Sequence, residues 1–231
     1  MPKPAGLTLR APNELTWRTL GPLLHLVVGL LYRVRVVGVE HLPATGPVLV
    51  APNHVSYLDP VVLLVVLRRL GRRARFLAVA SAFRHPLAGW ALRTSGMIPV
   101  DPRRMLAALA MGREALRAGE CVVAYPEGAI PAPGARRDGR GGAGVLAAYA
   151  PVVPVGQWGM QRGAHGRVRL GLRRPAAIVF GEALPPASPA DGSPKALTQR
   201  ILAAVDPLVA EARRRVDDDL RSASSRRPLP R

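Results

Sequence analysis

Several kinds of residue are scarce in this 231-residue chain, and each scarcity narrows what the protein can be. Aromatic side chains make up only 4% of the residues although hydrophobic residues reach 48%, so the core must be built from Val, Leu, Ala and Ile. Cys121 is the only cysteine, which excludes an intramolecular disulfide and any metal site made of several thiolates. Its place in the apolar run Cys121–Ala124 marks it as a small buried hydrophobe. Lysine occurs only as Lys3 and Lys195, so the net charge of +18, from 33 basic against 15 acidic residues, is almost wholly arginine. Arginine pairs bidentately with phosphate. The excess fits an anionic partner, whether nucleic acid, an anionic lipid surface or a phosphorylated or acidic carrier, and it fits a biased base composition equally well. Few aromatics for base stacking and no recognition-helix pattern argue against nucleic acid.

Long apolar runs are also missing. The longest, Leu20–Tyr32, covers about a dozen residues and contains Gly21, Pro22 and His25, whereas a spanning helix needs about 20. No bilayer crossing and no secretory signal are expected. Arg18 before the run and Arg33 and Arg35 after it suit a segment lying in the lipid interface with its arginines at the headgroups; an ordinary core helix is the other reading. We divide the chain into an N-terminal interface segment (1–33), one domain (34–220) and a disordered tail (221–231).

Short apolar runs punctuated by Gly and Pro alternate with helical patterns, the signature of strands joined by crossover helices. Candidate strands are Arg35–Val39, Val48–Pro52, Phe76–Ala80, Gly96–Val100, Cys121–Tyr125, Val152–Gly156, Arg167–Leu172 and Ala177–Phe180. Their nearly continuous apolar character predicts a sheet covered on both faces. The expected fold is α/β: a mixed, largely parallel central sheet of about seven strands flanked by helices, with the N-terminal helical segment at the membrane interface. Boundary signals predict helices over Pro60–Leu70, capped by Asp59, over about Arg103–Ala118, and from Ser193-Pro194 towards Leu220 with a break at Asp206-Pro207. Pro131–Gly144, with five glycines and two prolines, reads as a surface loop.

Chemistry concentrates in Pro52–Pro60, between a predicted strand and a predicted helix, where open α/β sheets place their sites. His54 and Asp59 are five residues apart, which on one helix would point them about 140° away from each other. A turn solves this if His54 ends the strand and Asp59 caps the helix, one carboxylate oxygen reaching the imidazole and the other accepting a helix N–H. An Asp bonded to one ring nitrogen fixes the tautomer and leaves the other nitrogen to take a proton. A plain helix cap beside a strand-end histidine is the alternative reading. Ser56 is expected to stabilise the loop. No pair among His25, His41, His85 and His165 has metal-ligand spacing.

Asn53-His54-x-x-x-x-Asp59 resembles the first motif, N-H-x-x-x-x-D, of the glycerolipid acyltransferase family that includes 1-acylglycerol-3-phosphate acyltransferase. Further blocks follow in that family's order. Gly38–Pro43 and Gly46–Val48 resemble its approach to the first motif, Gly96–Arg104 its second motif, Tyr125-Pro126-Glu127-Gly128 its third, usually Phe-Pro-Glu-Gly-Thr, and Ala150–Val155 its fourth. The resemblance covers roughly Val37–Gly181. It implies acyl transfer from acyl-CoA or acyl-carrier protein to the free hydroxyl of a lysophospholipid, with His54 as base and Asp59 behind it, without a cofactor or metal, on the cytoplasmic face of the cell membrane. It also implies that Arg103 or Arg104, with Glu127 and Gly128, binds the acceptor. Two departures stand out: Pro102 separates Asp101 from Arg103, and Ala129-Ile130 replace the usual Thr-Arg. The remaining cation for an acceptor phosphate is therefore expected from Arg103 or Arg104, and an anion bound at that helix start would explain two arginines in an unfavourable place. Other readings are an acyltransferase for a different lipid or glycolipid acceptor and a lipid-binding relative without turnover.

Overall fold

In the computed structural model, residues 11–131, 139–161 and 171–225 are described. Seven strands form one sheet: β1 (Tyr32–Val37), β2 (Val48–Pro52), β3 (Ala74–Val79), β4 (Ile98–Val100), β5 (Cys121–Val123), β6 (Val152–Trp158) and β7 (Arg174–Phe180). Their order is β1-β7-β6-β2-β5-β3-β4. Every neighbouring pair is parallel except β6 with β7. This is the mixed, largely parallel α/β sheet that the apolar runs predict. Several strand boundaries move by one to three residues, furthest at two starts: β1 begins at Tyr32, inside the expected N-terminal segment, and β7 begins at Arg174. The expected strand Arg167–Leu172 lies mainly outside the described residues, and Gly171 and Leu172 are not in a strand.

Alternation along the central strands explains why they read as unbroken apolar runs. Val48 and Val50 of β2, Cys121 and Val123 of β5, and Val153 and Val155 of β6 pack in one cluster with α1 (Glu14–Leu31) and α2 (Asp59–Arg69). Leu49, Ala51, Val122 and Val152 face the opposite cluster, with α4 (Met105–Arg117), α5 (Gly142–Leu146) and α6 (Pro194–Ser225). Both faces are covered, so neither residue set can be polar. Cys121 lies in this core, and burial pushes its thiol up to about 11.

The helices correct the sequence reading in several places. The N-terminal helix starts at Glu14, where the Asn13 side chain accepts the Leu15 and Thr16 N–H groups, and α3 (Pro86–Thr94) has no counterpart among the helices read from boundary signals. Gly142 opens α5 within the expected surface loop, of which residues 132–138 lie outside the described part. No break occurs at Asp206-Pro207: α6 runs through Pro207 to Ser225, past the domain boundary set at residue 220. Ile201, Val205, Val209, Ala212 and Val216 are buried along one stripe of α6, and this packing offsets the hydrogen bond that proline removes. A close approach makes it possible. A Cβ added at Gly156 of β6 would clash with the backbone of Leu208 in α6.

The N-terminal helix has two different sides. Trp17, Gly21 and Val28 are buried, while Leu15, Leu23, Leu26, Val27 and Leu30 are exposed, Leu15 by 69%. No described helix is long and apolar enough to cross a membrane. Arg33 and Arg35, expected at lipid headgroups, instead lie 3.3 and 2.8 Å from the Asp219 carboxylate of α6, because β1 carries them along the sheet edge beside that helix.

Candidate active site

Because β2, β5, β3 and β4 run parallel, the segments that follow them emerge at one edge of the sheet. β2 occupies the middle of the seven strands, and His54 stands two residues beyond its end. The His54 Nδ1 lies 3.0 Å from Asp59 Oδ2. The same oxygen accepts the N–H of Val55 at 2.6 Å and of Ser56 at 2.7 Å. An oxygen already taking two N–H donors is an acceptor, so the ring hydrogen sits on Nδ1 and the Nε2 lone pair is left for a proton. Asp59 is fully buried and 14% of the His54 side chain is exposed.

Asp59 does not cap its helix as expected. It is the first residue of α2, the capping position falls to Leu58, and Asp59 Oδ1 meets no hydrogen-bond donor among the described residues. The carboxylate has been turned back into the loop, where it ties three consecutive residues. Ser56 supports the same loop, its Oγ accepting the Leu58 N–H at 3.2 Å.

The third block joins the site from the neighbouring strand. Beyond β5, Glu127 Oε2 accepts the backbone N–H of His54 at 3.0 Å, so this carboxylate organises the histidine's own backbone. Gly128 follows with φ +69°, in the region that favours glycine, and a Cβ there would lie 2.7 Å from the Arg140 Cδ. The exposed Arg140 thus lays its aliphatic stem across the third block, a cation that the sequence reading did not place there. Arg103 and Arg104 reach the same edge of the sheet but from β4, three strand spacings or roughly 14 Å from β2. Both are exposed. One acidic side chain of the protein already stands at this helix start, where Asp101 Oδ1 accepts the Arg103 N–H at 2.9 Å.

Three residues around His54, Asn53 and Tyr125 of the quoted motifs and Gln157, have roles that the sequence does not show. Asn53 and Gln157 are clamped together by Gln157 N–H to Asn53 Oδ1 at 2.6 Å, Gln157 Nε2 to Asn53 O at 3.0 Å, and Asn53 Nδ2 to Gln157 O at 3.1 Å. Tyr125, quoted in the third block, stacks its ring on the imidazole with centroids 4.2 Å apart and planes at 28°. The one signal for Gln157 was a polar residue closing the apolar run Val152–Trp158. His41 and His85 have structural partners, the Phe180 carbonyl and the start of α3; His165 lies outside the described residues. No cluster of metal-ligand type occurs among the described residues.

A sequence profile of the Acyltransferase family matches residues 33–158, more than half of the chain. This chain belongs to the Acyltransferase family. It is 31% identical over 159 residues to a chloroplastic 1-acyl-sn-glycerol-3-phosphate acyltransferase of Arabidopsis thaliana, covering 62% of this chain and 44% of that protein. A 1-acyl-sn-glycerol-3-phosphate acyltransferase of Chlamydomonas reinhardtii is 32% identical over 199 residues, covering 81% and 58%. The chain spans about half the length of the curated relatives it matches. The crystal structure of a 1-acyl-sn-glycerophosphate acyltransferase from Thermotoga maritima shares the fold, with a TM-score of 0.62 at 22% identity over 78% of this chain and 72% of that one.

Burial raises the Asp59 carboxyl above its ordinary range, opposed by its bonds to His54, Val55 and Ser56. The folded state therefore keeps this proton to higher pH than the unfolded chain does. Stability from the group is complete below the unfolded-chain pKa and is lost as pH rises through the folded value. Relative to Asp59→Asn, the parent protein should lose stability as pH rises above the unfolded carboxyl value of about 4 and level off once the folded carboxyl has ionised. Urea midpoints of the two proteins across that range check this, and a change of the opposite sign would mean that His54 holds the carboxyl ionised.

Proposed function

We propose that this acyltransferase-family chain moves a fatty acyl group from acyl-CoA or acyl-carrier protein to the free hydroxyl of a lysophospholipid, with 1-acylglycerol-3-phosphate as acceptor and phosphatidate as product. The observation that carries this reading is the His54–Asp59 pair at the centre of the sheet edge, with Nε2 free to accept. In the proposed reaction Nε2 takes the acceptor's hydroxyl proton as its oxygen attacks the thioester carbonyl. A tetrahedral oxyanion forms, collapses to the ester and expels the thiolate, to which the imidazolium returns the proton. Asp59 supports the transient imidazolium. The acceptor oxygen attacks directly, so no protein nucleophile is needed, and the sequence has no Gly-x-Ser-x-Gly.

His54→Ala should abolish transfer, measured as thiol release with lysophospholipid acceptors, while circular dichroism and melting stay close to the parent. Near-parent turnover would sink the mechanism.

For the acceptor phosphate we propose Arg103 or Arg104 as the main cation, with Glu127 and Gly128 shaping the near side of the site. A charge-assisted donor contributes roughly 1.5–3 kcal/mol. Arg103→Gln or Arg104→Gln should therefore raise the acceptor KM about tenfold or more, with little change in the thioester KM. If Arg140→Gln has that effect and the other two do not, the phosphate is read beside Gly128 instead. If none of the three alters the preference for phosphate-bearing over phosphate-free acceptors, the acceptor is a different lipid or a glycolipid.

The lipid acceptor also calls for a docking surface, and we propose that the protein sits on the cytoplasmic face of the cell membrane through α1. Its exposed stripe Leu23, Leu26, Val27 and Leu30 supports this, with Leu87 and Trp90 of α3 as further exposed apolar side chains. The Asn13 N–H reaches the Thr94 carbonyl at 2.7 Å, which joins the start of α1 to the end of α3. Replacing Leu23, Leu26 and Leu30 together by Ser should reduce flotation with anionic vesicles without lowering the melting temperature, since all three are exposed. Undiminished flotation would remove α1 from the docking surface.

A further inference from the structure

Four fixed contacts surround His54. Asp59 takes Nδ1, Glu127 takes the backbone N–H, the Asn53–Gln157 clamp holds the preceding residue, and the ring of Tyr125 covers one face of the imidazole at 4.2 Å. The first two are polar and leave the ring free to librate about its bonds. Stacking restrains that motion, and it places the negative face of an aromatic ring against a group that becomes a cation whenever it takes a proton.

Tyr125 is well placed to be rigid. It packs against the core cluster below α1 and α2. Its hydroxyl is buried and makes no hydrogen bond of normal geometry among the described residues. Burial first, then the nearby Asp59 carboxylate, pushes its phenol well above the ordinary value, while the Gln157 amide acts in the other direction. The phenol therefore stays protonated at neutral pH, and it carries no proton to or from the reaction. What remains is the ring. Among the described residues, the charged and titratable groups beside His54 or its partner are Asp59 from α2, Glu127 and Tyr125 beyond β5, and Tyr32 of β1, which feels the Asp59 charge. Tyr125 is the one of these whose ring stacks on the imidazole.

We propose that Tyr125 is a positioning residue for the general base: its ring face locks the His54 imidazole in the orientation that the Asp59 bond requires and stabilises the imidazolium during transfer. Gln157 belongs to the same unit, because it anchors Asn53 on one side of His54 and lies against the phenol on the other. β6, β2 and β5 are thereby closed into a ring of contacts around one imidazole. The inference rests on the reading of His54 as the base.

The test compares Tyr125→Phe, which keeps the ring, with Tyr125→Leu, which removes it. Two readouts are used: steady-state kinetics, and an NMR titration of the His54 ring in the free protein. Tyr125→Phe should match the parent within about twofold, since the hydroxyl has no role in the proposal. Tyr125→Leu should lower kcat roughly tenfold or more with both KM values unchanged, as misplacement of a catalytic group does. It should also lower the His54 titration midpoint by about half a unit. If Tyr125→Leu does not fold, Tyr125→Met fills the space with a flexible apolar chain and carries the same comparison. Titration and turnover in the leucine or methionine variant equal to those of Tyr125→Phe would overturn the proposal. A shifted titration in a protein whose parent transfers no acyl group would leave the ring pairing standing and bring down the general-base reading.

Discussion

One oxygen atom, Asp59 Oδ2, determines the local geometry on which the site depends. It receives the His54 Nδ1 and the backbone N–H groups of Val55 and Ser56, so the loop between β2 and α2 is wound around a buried carboxylate. An anion in this position needs compensation, and it has the start of α2 as well as the three donors. The arrangement couples fold and chemistry. The bonds that keep a buried charge tolerable are the bonds that set the tautomer of the only exposed member of the pair. The helix loses its side-chain cap as a consequence, and the loop gains the rigidity.

The sheet supplies the second level of order. β2 lies between β6 and β5, and all three run in the same direction, so the residues beyond their ends meet without long loops. Gln157 comes from β6, His54 follows β2, and Tyr125 and Glu127 follow β5. Positions one strand away from β2 touch His54 or its neighbour. Arg103 and Arg104, on the edge strand β4, approach from across the rim. Under the proposed function the phosphate and reacting hydroxyl sit on adjacent carbons, so the long arginine side chains must reach along the sheet edge toward His54 to engage that phosphate.

The basic character of the chain is distributed less simply than its net charge of +18 suggests. Arg33 and Arg35 lie against Asp219, Arg73 against Glu14, and Arg75 against Glu120. These arginines staple helices and loops to the sheet. The apolar side of α1 is the opposite case: it is left uncovered although the other side of the same helix is packed against α2. A helix can be part of the core and still present an apolar stripe, so the two sequence readings of this segment were not exclusive.

Much of the architecture was legible because its causes are local. Buried parallel strands need apolar side chains on both faces, and the strands inside the sheet appear as such runs, from Val48–Pro52 to Ala177–Phe180, while the edge strand β1 alternates with Arg33 and Arg35. The His54–Asp59 pairing was legible too, since five residues and one turn contain all of it. Where tertiary packing outweighs local preference, the sequence misled: Pro207 should end a helix, yet the buried stripe of α6 and the open backbone at Gly156 carry the helix through it. The capping role of Asp59 failed for a similar reason, as three donors in the loop outcompeted the helix N–H groups. The partners of the Asn53–Gln157 clamp lie 104 residues apart in the chain, and Arg140 reaches Gly128 from outside the third block. Sequence by itself determined most of the strands and that His54 and Asp59 can meet, because apolar patterning and short-range spacing act within a few residues. Only the tertiary structure decided what surrounds His54, because contacts between strands are set by the order in which the sheet assembles, and no local pattern encodes that order.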